Sequence, residues 1–143
     1  MSDSPTVASL IAANERFYRT FESLDYAAMD ALWEHSDRAF CVHPGWPPLH
    51  GAKPVLESWW RIIGNTSDIR FALLAVTARV EGTLGIVTLY EQIQSVAGGG
   101  QQGSGAATTN LFAFDAEAGM WKLFHHHASP SPLPGGDTET PLN

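Results

Sequence analysis

A change in hydrophobic periodicity near residue 69 constrains the fold of this chain more than any other feature. Before that point, apolar residues such as Leu10, Phe17 and Phe21 recur at the three- and four-residue spacing of amphipathic helices. From Ile69 onward the period is two, which is typical of β-strands. Because the helices precede the strands instead of alternating with them, this order predicts an α+β fold in which helices cover one face of a sheet.

Three helices and a short strand are predicted in the first half. Ser4 and Pro5 indicate the start of a helix that runs to Leu24. Asp25 can cap a second helix that extends to Trp33, because its carboxylate can accept the free amide hydrogens of the first turn. A short strand over 38–43 and a third helix from Pro54 to Gly64 follow.

The second half is predicted to form a sheet. Its four strands are expected over residues 69–81, 83–94, 108–115 and 120–128. The glycine-rich segment 98–105 is expected to be a flexible connection, since its residues gain little by ordering. The first two strands are apolar on both faces, so the face that the helices leave uncovered needs another cover. A second subunit is the economical candidate, and we expect a homodimer formed through the sheet.

Length and charge limit the possible functions. The 143 residues suffice for one domain with a real core, which we place at 1–130, followed by a flexible Pro- and Gly-rich tail at 131–143. Eight Lys and Arg against fifteen Asp and Glu give a net charge of −7, and the basic residues are scattered. A nucleic-acid backbone would therefore be repelled, and we expect no nucleic-acid partner.

The single cysteine and the lack of a long apolar run bear on location. Cys41 has no second cysteine for an internal disulfide or a thiolate metal cluster. No stretch approaches the roughly 18 uninterrupted apolar residues of a membrane-spanning helix, and the first residues lack the pattern of a secretory signal. We therefore expect a cytoplasmic protein without membrane association.

The run His125-His126-His127 is the most informative local pattern. Side chains alternate along a strand, so His125 and His127 share one face and His126 takes the other. Two histidines at this spacing could bind one metal ion if a third protein ligand were near. More commonly, strand histidines line a cavity or a subunit contact and satisfy their ring nitrogens with hydrogen bonds, so we predict no metal. The candidates for a third ligand are His43, His50 and Glu91.

Aromatic residues near one loop predict a pocket for a small, largely apolar organic ligand. Trp46 lies in the loop after His43, and Trp59 follows soon after, which favours an aromatic-lined cavity mouth. Asn110 lies in an otherwise apolar strand, where its amide must find a partner or meet a ligand. The side chains expected to converge on this cavity are those of Trp46, Trp59, Phe112, His43 and His127.

Glu91 is the candidate for acid–base chemistry. If it faces the cavity, burial would raise its pKa and make it a usable general base at neutral pH, paired with His127. In the proton transfer that these groups are most compatible with, which is dehydration or isomerisation beside a carbonyl, His127 would act as general base or acid, and Asn110 or Tyr90 would stabilise developing negative charge. If Glu91 faces outward, it is a solvated carboxylate.

The end of the predicted sheet resembles a known family. Segment 121–129, Trp-Lys-Leu-Phe-His-His-His-Ala-Ser, is similar to the Trp-x-x-Val-His-x-His-x-Ser ending of the association domain of calcium/calmodulin-dependent kinase II. His125 and His127 take the positions of its two histidines, and Phe124 replaces its valine. With the order of helices and strands, the chain over 7–130 resembles the nuclear transport factor 2-like superfamily, which includes the SnoaL-like bacterial proteins.

The resemblance implies a cone-shaped α+β fold in which three N-terminal helices close against a curved, mostly antiparallel sheet and leave a pocket. It implies a small-molecule-binding protein, as in the cofactor-independent dehydratases and isomerases of the superfamily, or a non-catalytic association module. Whether the chain catalyses a reaction stays open, and no cofactor is expected. The catalytic candidates are His127, His43 and Glu91, and the candidate ligand contacts are Tyr18, Trp46, Trp59, Tyr90, Asn110, Phe112 and His125.

Overall fold

The predicted α+β class is confirmed by a computed structural model that describes residues 4–97 and 100–134. Three helices pack on a six-stranded, mostly antiparallel sheet. The helices are α1 (Val7–Ser23), α2 (Tyr26–Leu32) and α3 (Ala52–Gly64). The strands are β1 (Phe40–Val42), β2 (Leu49–His50), β3 (Thr66–Glu81), β4 (Leu84–Ala97), β5 (Gly100–Asp115) and β6 (Met120–Pro130).

The sheet has the strand order β2-β1-β6-β5-β4-β3. The long strands β3 to β6 form successive antiparallel hairpins, whereas β1 pairs in parallel with β6 and places the end of the helical half beside the last strand. Residues 135–143 of the predicted tail lie outside the described residues, so the tail stays a prediction. No helix in the described part of the chain is both long and apolar enough to cross a membrane.

Local capping explains how α1 and α2 form a helical hairpin. Thr6 caps α1 through a reciprocal pair of hydrogen bonds with Ser9, each 3.1 Å long. Leu24 ends α1 in the left-handed conformation with a φ of 55°. Asp25 then accepts a hydrogen bond from the Ala28 amide at 3.1 Å, as predicted for the cap of α2.

The glycine-rich segment is more ordered than its composition predicts. Gly100 begins β5, and the residues up to Gly105 pair with β4, so the expectation of a flexible connection over 98–105 is wrong for 100–105. Gly98 and Gly99 lie outside the described residues. A Cβ at Gly105 would come within 2.7 Å of a Leu133 methyl group, so the absence of a side chain lets the chain after β6 pack here.

A β-bulge in β6 changes which histidine faces the helices. Leu111 and Phe112 of β5 pair with His125 and Leu123, so Phe124 has no partner across the strands. One extra residue shifts the alternation of all later side chains to the opposite face.

The bulge makes the orientation expected for the histidine run wrong. Before it, Trp121 and Leu123 are buried on the inner face, the face that packs against the helices, and after it His126 and Ala128 are buried there. His127 is exposed on the outer face of the sheet. Of the three histidines, only His126 reaches the interior.

Candidate functional site

Polar side chains collect in the interior, between α1 and the inner face of β4, β5 and β6. Asn110 lies directly across from His126 in the sheet register, and Glu91 lies on the neighbouring strand β4. Asn14 and Tyr18, one helical turn apart on α1, point down onto this row. All five are at most 3% exposed. Because buried polar groups need partners, their hydrogen bonds determine what the site can do.

The five side chains form one hydrogen-bonded chain with a fixed direction. The Tyr18 hydroxyl donates to Glu91 Oε2 at 2.5 Å. Asn110 Nδ2 donates to Asn14 Oδ1 at 2.9 Å and to the Tyr18 hydroxyl oxygen at 3.1 Å. Asn110 Oδ1, the acceptor end of the same amide, lies 2.6 Å from His126 Nδ1, which must therefore carry the proton. The donors thus run from His126 towards the carboxylate of Glu91.

Glu91 is a buried carboxyl group without a cationic partner in the described part of the chain. None of the ion pairs among the described residues includes it. Burial raises its pKa to about 7, although the hydrogen bond from Tyr18 favours the charged form and acts in the opposite direction. Burial and the nearby charge of Glu91 raise the pKa of Tyr18 well above its usual value. Glu91 can therefore hold or release a proton near neutral pH, as the sequence predicted for an inward-facing carboxyl.

His43 is a second buried imidazole on the same side of the sheet. The Ser58 hydroxyl donates to the Val55 carbonyl at 2.6 Å, so its oxygen accepts from His43 Nε2 at 2.8 Å. Burial lowers the pKa of His43 to about 4. His43 is therefore neutral at pH 7, and its Nδ1 is the acceptor nitrogen.

Both interior imidazoles are neutral because they are desolvated. Burial lowers the pKa of His126 well below its usual value, and proximity to His43 acts in the same direction. With the proton on Nδ1, the acceptor nitrogen of His126 is Nε2. Burial also raises the pKa of the Cys41 thiol, and the charge of Glu91 adds to this effect, so Cys41 is not a nucleophile.

A series of aromatic rings connects the surface to the buried polar chain. Trp46, half-buried in the loop after β1, packs edge-on against His43 with ring centroids 4.9 Å apart. His43 in turn contacts Trp59 at 4.8 Å, and Trp59 lies 5.9 Å from His126. The indole nitrogens of Trp59 and Trp33 are buried without a hydrogen-bond partner in the described part of the chain.

The structure brings together five of the predicted site residues. These are Tyr18, His43, Trp59, Glu91 and Asn110. Phe112 is also buried on the inner face, two residues further along β5, and Trp46 lies at the outer end of the ring series.

Tyr90, His125 and His127 do not join them, because all three lie on the outer face of the sheet. His125 is half-buried and stacks on Phe40 with ring centroids 4.8 Å apart and planes at 21°. It lies 6.4 Å from the ring of His127. Within residues 4–97 and 100–134, no group of three or more His, Cys, Asp or Glu side chains is arranged to hold a metal ion.

The side chains expected to surround a cavity, including those of Trp59, Asn110 and Phe112, are themselves buried. Three depressions on the described surface, with volumes of about 270, 410 and 280 Å³, lie elsewhere. One is on the sheet beside Tyr90, one is at the exposed Trp60, and one is beside Lys122. None of these three is lined by Glu91 or His126.

Sequence reasoning missed Asn14, Ser58 and His126 as parts of the site. Asn14 had a detectable signal, because it interrupts the apolar stripe of α1. Ser58 resembles any helical serine until His43 is placed beside it. His126 could have been identified only from the bulge at Phe124.

Comparison with known proteins supports the assignment that the fold suggests. A family model described as a SnoaL-like domain matches residues 10–134. The chain belongs to the SnoaL-like domain family. The resemblance to the nuclear transport factor 2-like superfamily is confirmed by the same match and by solved structures.

Two solved structures are informative relatives of this SnoaL-like domain. A proposed dehydratase of the nuclear transport factor 2-like family from Streptomyces avermitilis is 34% identical, with a TM-score of 0.80, over 87% of this chain and 95% of that chain. A proposed calcium/calmodulin-dependent protein kinase type II association domain from Thiobacillus denitrificans is 26% identical, with a TM-score of 0.74, over 92% and 100% of the two chains.

A further structure shows the shared fold alone. The calcium/calmodulin-dependent kinase II hub of S. rosetta is 20% identical, with a TM-score of 0.72, over 90% of this chain and 98% of that chain. The comparison with curated proteins returned no match.

Proposed function

We propose that this SnoaL-like protein binds a small, largely apolar organic molecule beneath its helices and moves a proton on it. The reaction class is cofactor-independent dehydration or isomerisation beside a carbonyl group. The observation that carries the proposal is the buried carboxyl of Glu91, which is hydrogen-bonded by Tyr18 and has no cationic partner among residues 4–97 and 100–134. The similarity to a proposed dehydratase supports the same reaction class.

Glu91 replaces His127 in the catalytic role of this proposal. A general acid or base must come within hydrogen-bonding reach of the group with which it exchanges a proton. His127 is exposed on the outer face and cannot reach a ligand held against the inner face. The pKa of Glu91, which burial raises to about 7, suits proton exchange at neutral pH.

A ligand would reach Glu91 along the ring series that starts at Trp46. Displacing the half-buried indole of Trp46 uncovers His43, and a shift of Trp59 then uncovers the polar chain. The loop that carries Trp46 lies outside any helix or strand, so it can move at lower cost than the sheet. The aromatic walls favour a ligand with an apolar body.

The test combines ligand screening with one matched pair of variants. Aromatic acids, ketones and polyketide-like ring compounds are screened by thermal shift, because a ligand that binds the folded state raises the Tm by mass action. Binding compounds are then assayed for turnover with Glu91→Gln and with the outer-face control His127→Gln. Glu91→Gln should keep binding and lower kcat by about 100-fold or more, whereas His127→Gln should leave kcat unchanged. Unchanged turnover in Glu91→Gln, or no thermal shift with any compound, would disprove the proposal.

The outer face of the sheet supports a second function, association of two copies. The outward-facing residues at its centre carry no formal charge, although the chain has a net charge of −7, so two copies can meet there without bringing like charges together. The relative with a proposed association domain favours the same function. We propose a homodimer through this face, and sedimentation velocity tests it: a monomer at micromolar concentration would contradict it. The outward-facing residues at the centre of the sheet include Ile86, Thr88, Tyr90, Thr109, Leu111, His125 and His127.

Location in the cytoplasm also stays a proposal. The free thiol of Cys41 is buried, which is compatible with a reducing compartment. Fractionation of the native host would test it.

A further inference from the structure

We infer that Asn14 and Asn110 are positioning residues for the carboxyl group of Glu91. Acting through the hydroxyl of Tyr18, they direct the hydrogen of that hydroxyl to Glu91 Oε2 and leave Oε1 as the oxygen that takes up and releases a proton. That this proton is exchanged with a ligand rests on the proposed function, whereas the hydrogen bonds involve only side chains of the protein.

Asn14 holds the amide of Asn110 in one orientation. Asn110 Nδ2 donates to Asn14 Oδ1 at 2.9 Å and to the Tyr18 hydroxyl oxygen at 3.1 Å, so both of its hydrogens are used. Reversing the Asn110 amide while Asn14 stays in place would bring two carbonyl oxygens together and would lose the hydrogen bond between the two amides. Both residues are at most 2% exposed, so bulk water does not compensate for that loss.

The orientation of Asn110 then determines where the Tyr18 hydroxyl donates. A tyrosine hydroxyl has a single hydrogen. Because the Tyr18 oxygen accepts from Asn110 Nδ2, this hydrogen is left for Glu91 Oε2, which lies 2.5 Å from the Tyr18 oxygen. If the Asn110 oxygen faced Tyr18 instead, the amide and the carboxylate would compete for the same hydrogen.

The hydrogen bond from Tyr18 makes the two oxygens of Glu91 unequal. In a protonated carboxyl group one oxygen carries the hydrogen, and the other, the carbonyl oxygen, is the better acceptor. Because Oε2 accepts from Tyr18, the neutral acid keeps Oε2 as its carbonyl oxygen and carries its proton on Oε1. When Glu91 loses that proton, the hydrogen bond from Tyr18 becomes stronger because its acceptor is charged. Tyr18 therefore favours the ionised form, in opposition to burial.

In the described part of the chain, the other titratable groups that share this interior are neutral near pH 7. The partners of Glu91 across the strands, Leu73 and Ala106, are apolar. Burial raises the pKa of the one thiol and lowers the pKa values of the two imidazoles that lie on this side of the sheet. These groups belong to Cys41, His43 and His126.

Glu22, one helical turn after Tyr18, is a charged residue of α1 that contacts the sheet. Its carboxylate binds Arg19 at 2.8 Å and accepts a hydrogen bond from the Phe71 amide at 2.8 Å. Neither bond involves Tyr18 or Asn14, so substitutions at those two positions leave the partners of Glu22 in place. A change in the pKa of Glu91 in such variants therefore reports on the Tyr18 hydroxyl.

The first experiment measures the pKa of Glu91 in the full chain by carbon-13 NMR of its side-chain carboxyl. Tyr18→Phe removes the hydroxyl that favours the charged form and should raise this pKa by about one unit. Tyr90→Phe is the matched control, because it removes a hydroxyl from the residue next to Glu91 on the outer face of the sheet, and it should leave the pKa unchanged. An unchanged pKa in Tyr18→Phe would overturn the inference.

Asn14→Leu tests whether the pair of amides acts through Tyr18. Without the Asn14 oxygen, the Asn110 amide can reverse and compete with Glu91 for the Tyr18 hydrogen, so the pKa of Glu91 should rise by about half a unit. In the Tyr18→Phe background, Asn14→Leu should add no further shift. No shift in either background, or an equal shift in both, would show that Asn14 has only a packing role and would overturn its positioning role.

The second experiment identifies the protonated oxygen by infrared spectroscopy at about pH 5, below the pKa of about 7 that burial gives to Glu91. The difference between the unmodified protein and Glu91→Gln assigns the C=O stretching band of the protonated carboxyl. If Oε2 is the carbonyl oxygen, the hydrogen bond from Tyr18 lowers this frequency, so Tyr18→Phe should raise it and Tyr90→Phe should not. A band that does not move in Tyr18→Phe would overturn the assignment of the proton to Oε1.

A measurement on the unmodified protein decides the orientation of the Asn110 amide even if a variant does not fold. At about pH 8, the Asn110 Nδ2 hydrogens should show nuclear Overhauser contacts with the Tyr18 ring, whereas contacts with the His126 ring alone would overturn the positioning role. None of these measurements uses turnover. A Glu91 that titrates near pH 7 but fails the Tyr18 and Asn14 tests would overturn the positioning role alone, whereas the proposed function fails on unchanged turnover in Glu91→Gln.

Discussion

The two faces of the sheet treat the same run of histidines in opposite ways. On the inner face, His126 is fully enclosed and its protonation state is dictated by one amide oxygen of Asn110. On the outer face, His125 stacks on Phe40 and His127 is exposed. Three identical side chains in sequence therefore have different chemistry, because the path of the backbone determines which of them is buried away from water.

The difference shows that burial without charge, and not residue type, defines the candidate site. Every titratable group among the buried hydrogen-bonded side chains is shifted towards its neutral form. Burial raises the pKa of the Glu91 carboxyl and lowers the pKa of the His126 imidazole. The outer face holds imidazoles that water can still reach. If proton chemistry takes place in this protein, the physical conditions for it exist on the inner face.

The largest expected effect on the free energy of unfolding comes from removing Asn110, the central member of the buried hydrogen-bonded side chains. Asn110→Leu leaves the His126 Nδ1–H, the Asn14 oxygen and the Tyr18 hydroxyl with lost partners in the interior. Each unsatisfied group costs about 1 to 3 kcal/mol, so the free energy of unfolding should fall by about 3 kcal/mol or more. The neighbouring outer-face substitution Thr109→Val should change it by less than about 0.5 kcal/mol. Equal losses in urea unfolding experiments would show that the two faces do not differ.

The second prediction concerns how the free energy of unfolding depends on pH. The contribution of Glu91 falls as the pH rises, whereas the contribution of the buried imidazoles rises. Folding raises the pKa of Glu91 from 4.5 to about 7, so the folded state holds this proton more tightly. The contribution of Glu91 to the free energy of unfolding is therefore present below pH 4.5 and is lost as the pH rises to 7. Folding lowers the pKa of His43 from 6.5 to about 4, so its contribution is present above pH 6.5 and is lost as the pH falls.

Glu91→Gln separates these two contributions. Relative to the unmodified protein, the variant should gain stability between about pH 4.5 and pH 7, by an amount on the order of 3 kcal/mol. The stability of the variant itself should then follow the histidines and rise with pH up to 6.5. Urea unfolding at a series of pH values measures both curves. Parallel curves for the two proteins would mean that folding does not perturb Glu91.

The sequence was sufficient for the layer order and for part of the inner face. A change of period from helical to alternating identifies helices followed by a sheet, because each periodicity directly reports which side chains can be buried together. The same reasoning placed Glu91, Asn110 and Tyr18 near a common site. It failed at the bulge, because Phe124 is inserted for reasons of strand pairing that the alternating pattern of a single strand does not contain.

The prediction of a flexible connection in the glycine-rich segment failed for a different reason. Composition reports the entropy lost on ordering, but Gly103 and Gly105 are held by backbone hydrogen bonds to β4 that need no side chain. Asn14 shows the reverse case: a polar residue that interrupts an apolar helical stripe was a detectable signal that was missed, and Asn110 is its internal partner.

A smaller effect on the free energy of unfolding is expected from removing the β-bulge at Phe124. Deletion of Phe124 joins Leu123 to His125 and gives a regular strand in which Leu123 and His126 still face inward. The deletion loses the stacking of Arg38 on the Phe124 ring, at 4.1 Å, and should cost about 1 to 2 kcal/mol. The NMR tautomer of His126 should not change. A deletion variant whose His126 ring becomes solvent-exposed would show that the bulge does more than add one residue.

The smallest effect on stability is expected from the outer histidines, although they should control association of two copies. His125 and His127 pair across the strands with Leu111, Thr109, Phe40 and Val42, none of which carries a charge. Their double replacement by Gln should change the free energy of unfolding of the monomer by less than about 0.5 kcal/mol per site.

Protonation of His125 would place positive charge beside Leu111 and Phe40, its partners across the strands, and neither offers a carboxylate to pair with it. A dimer formed through this face should therefore be weaker at about pH 5 than at about pH 8, because each copy would bring a positive His125 into the contact. Burial lowers the pKa of His125, so the weakening should fall at the acidic end of this range. The double Gln variant should dimerise equally at both values in sedimentation velocity experiments. Replacement of His35 by Gln is the control, because His35 contacts Asp30 at 3.0 Å and belongs to the loop after α2 instead of to a strand. A dimer of the unmodified protein that is indifferent to pH would mean that His125 lies outside the contact.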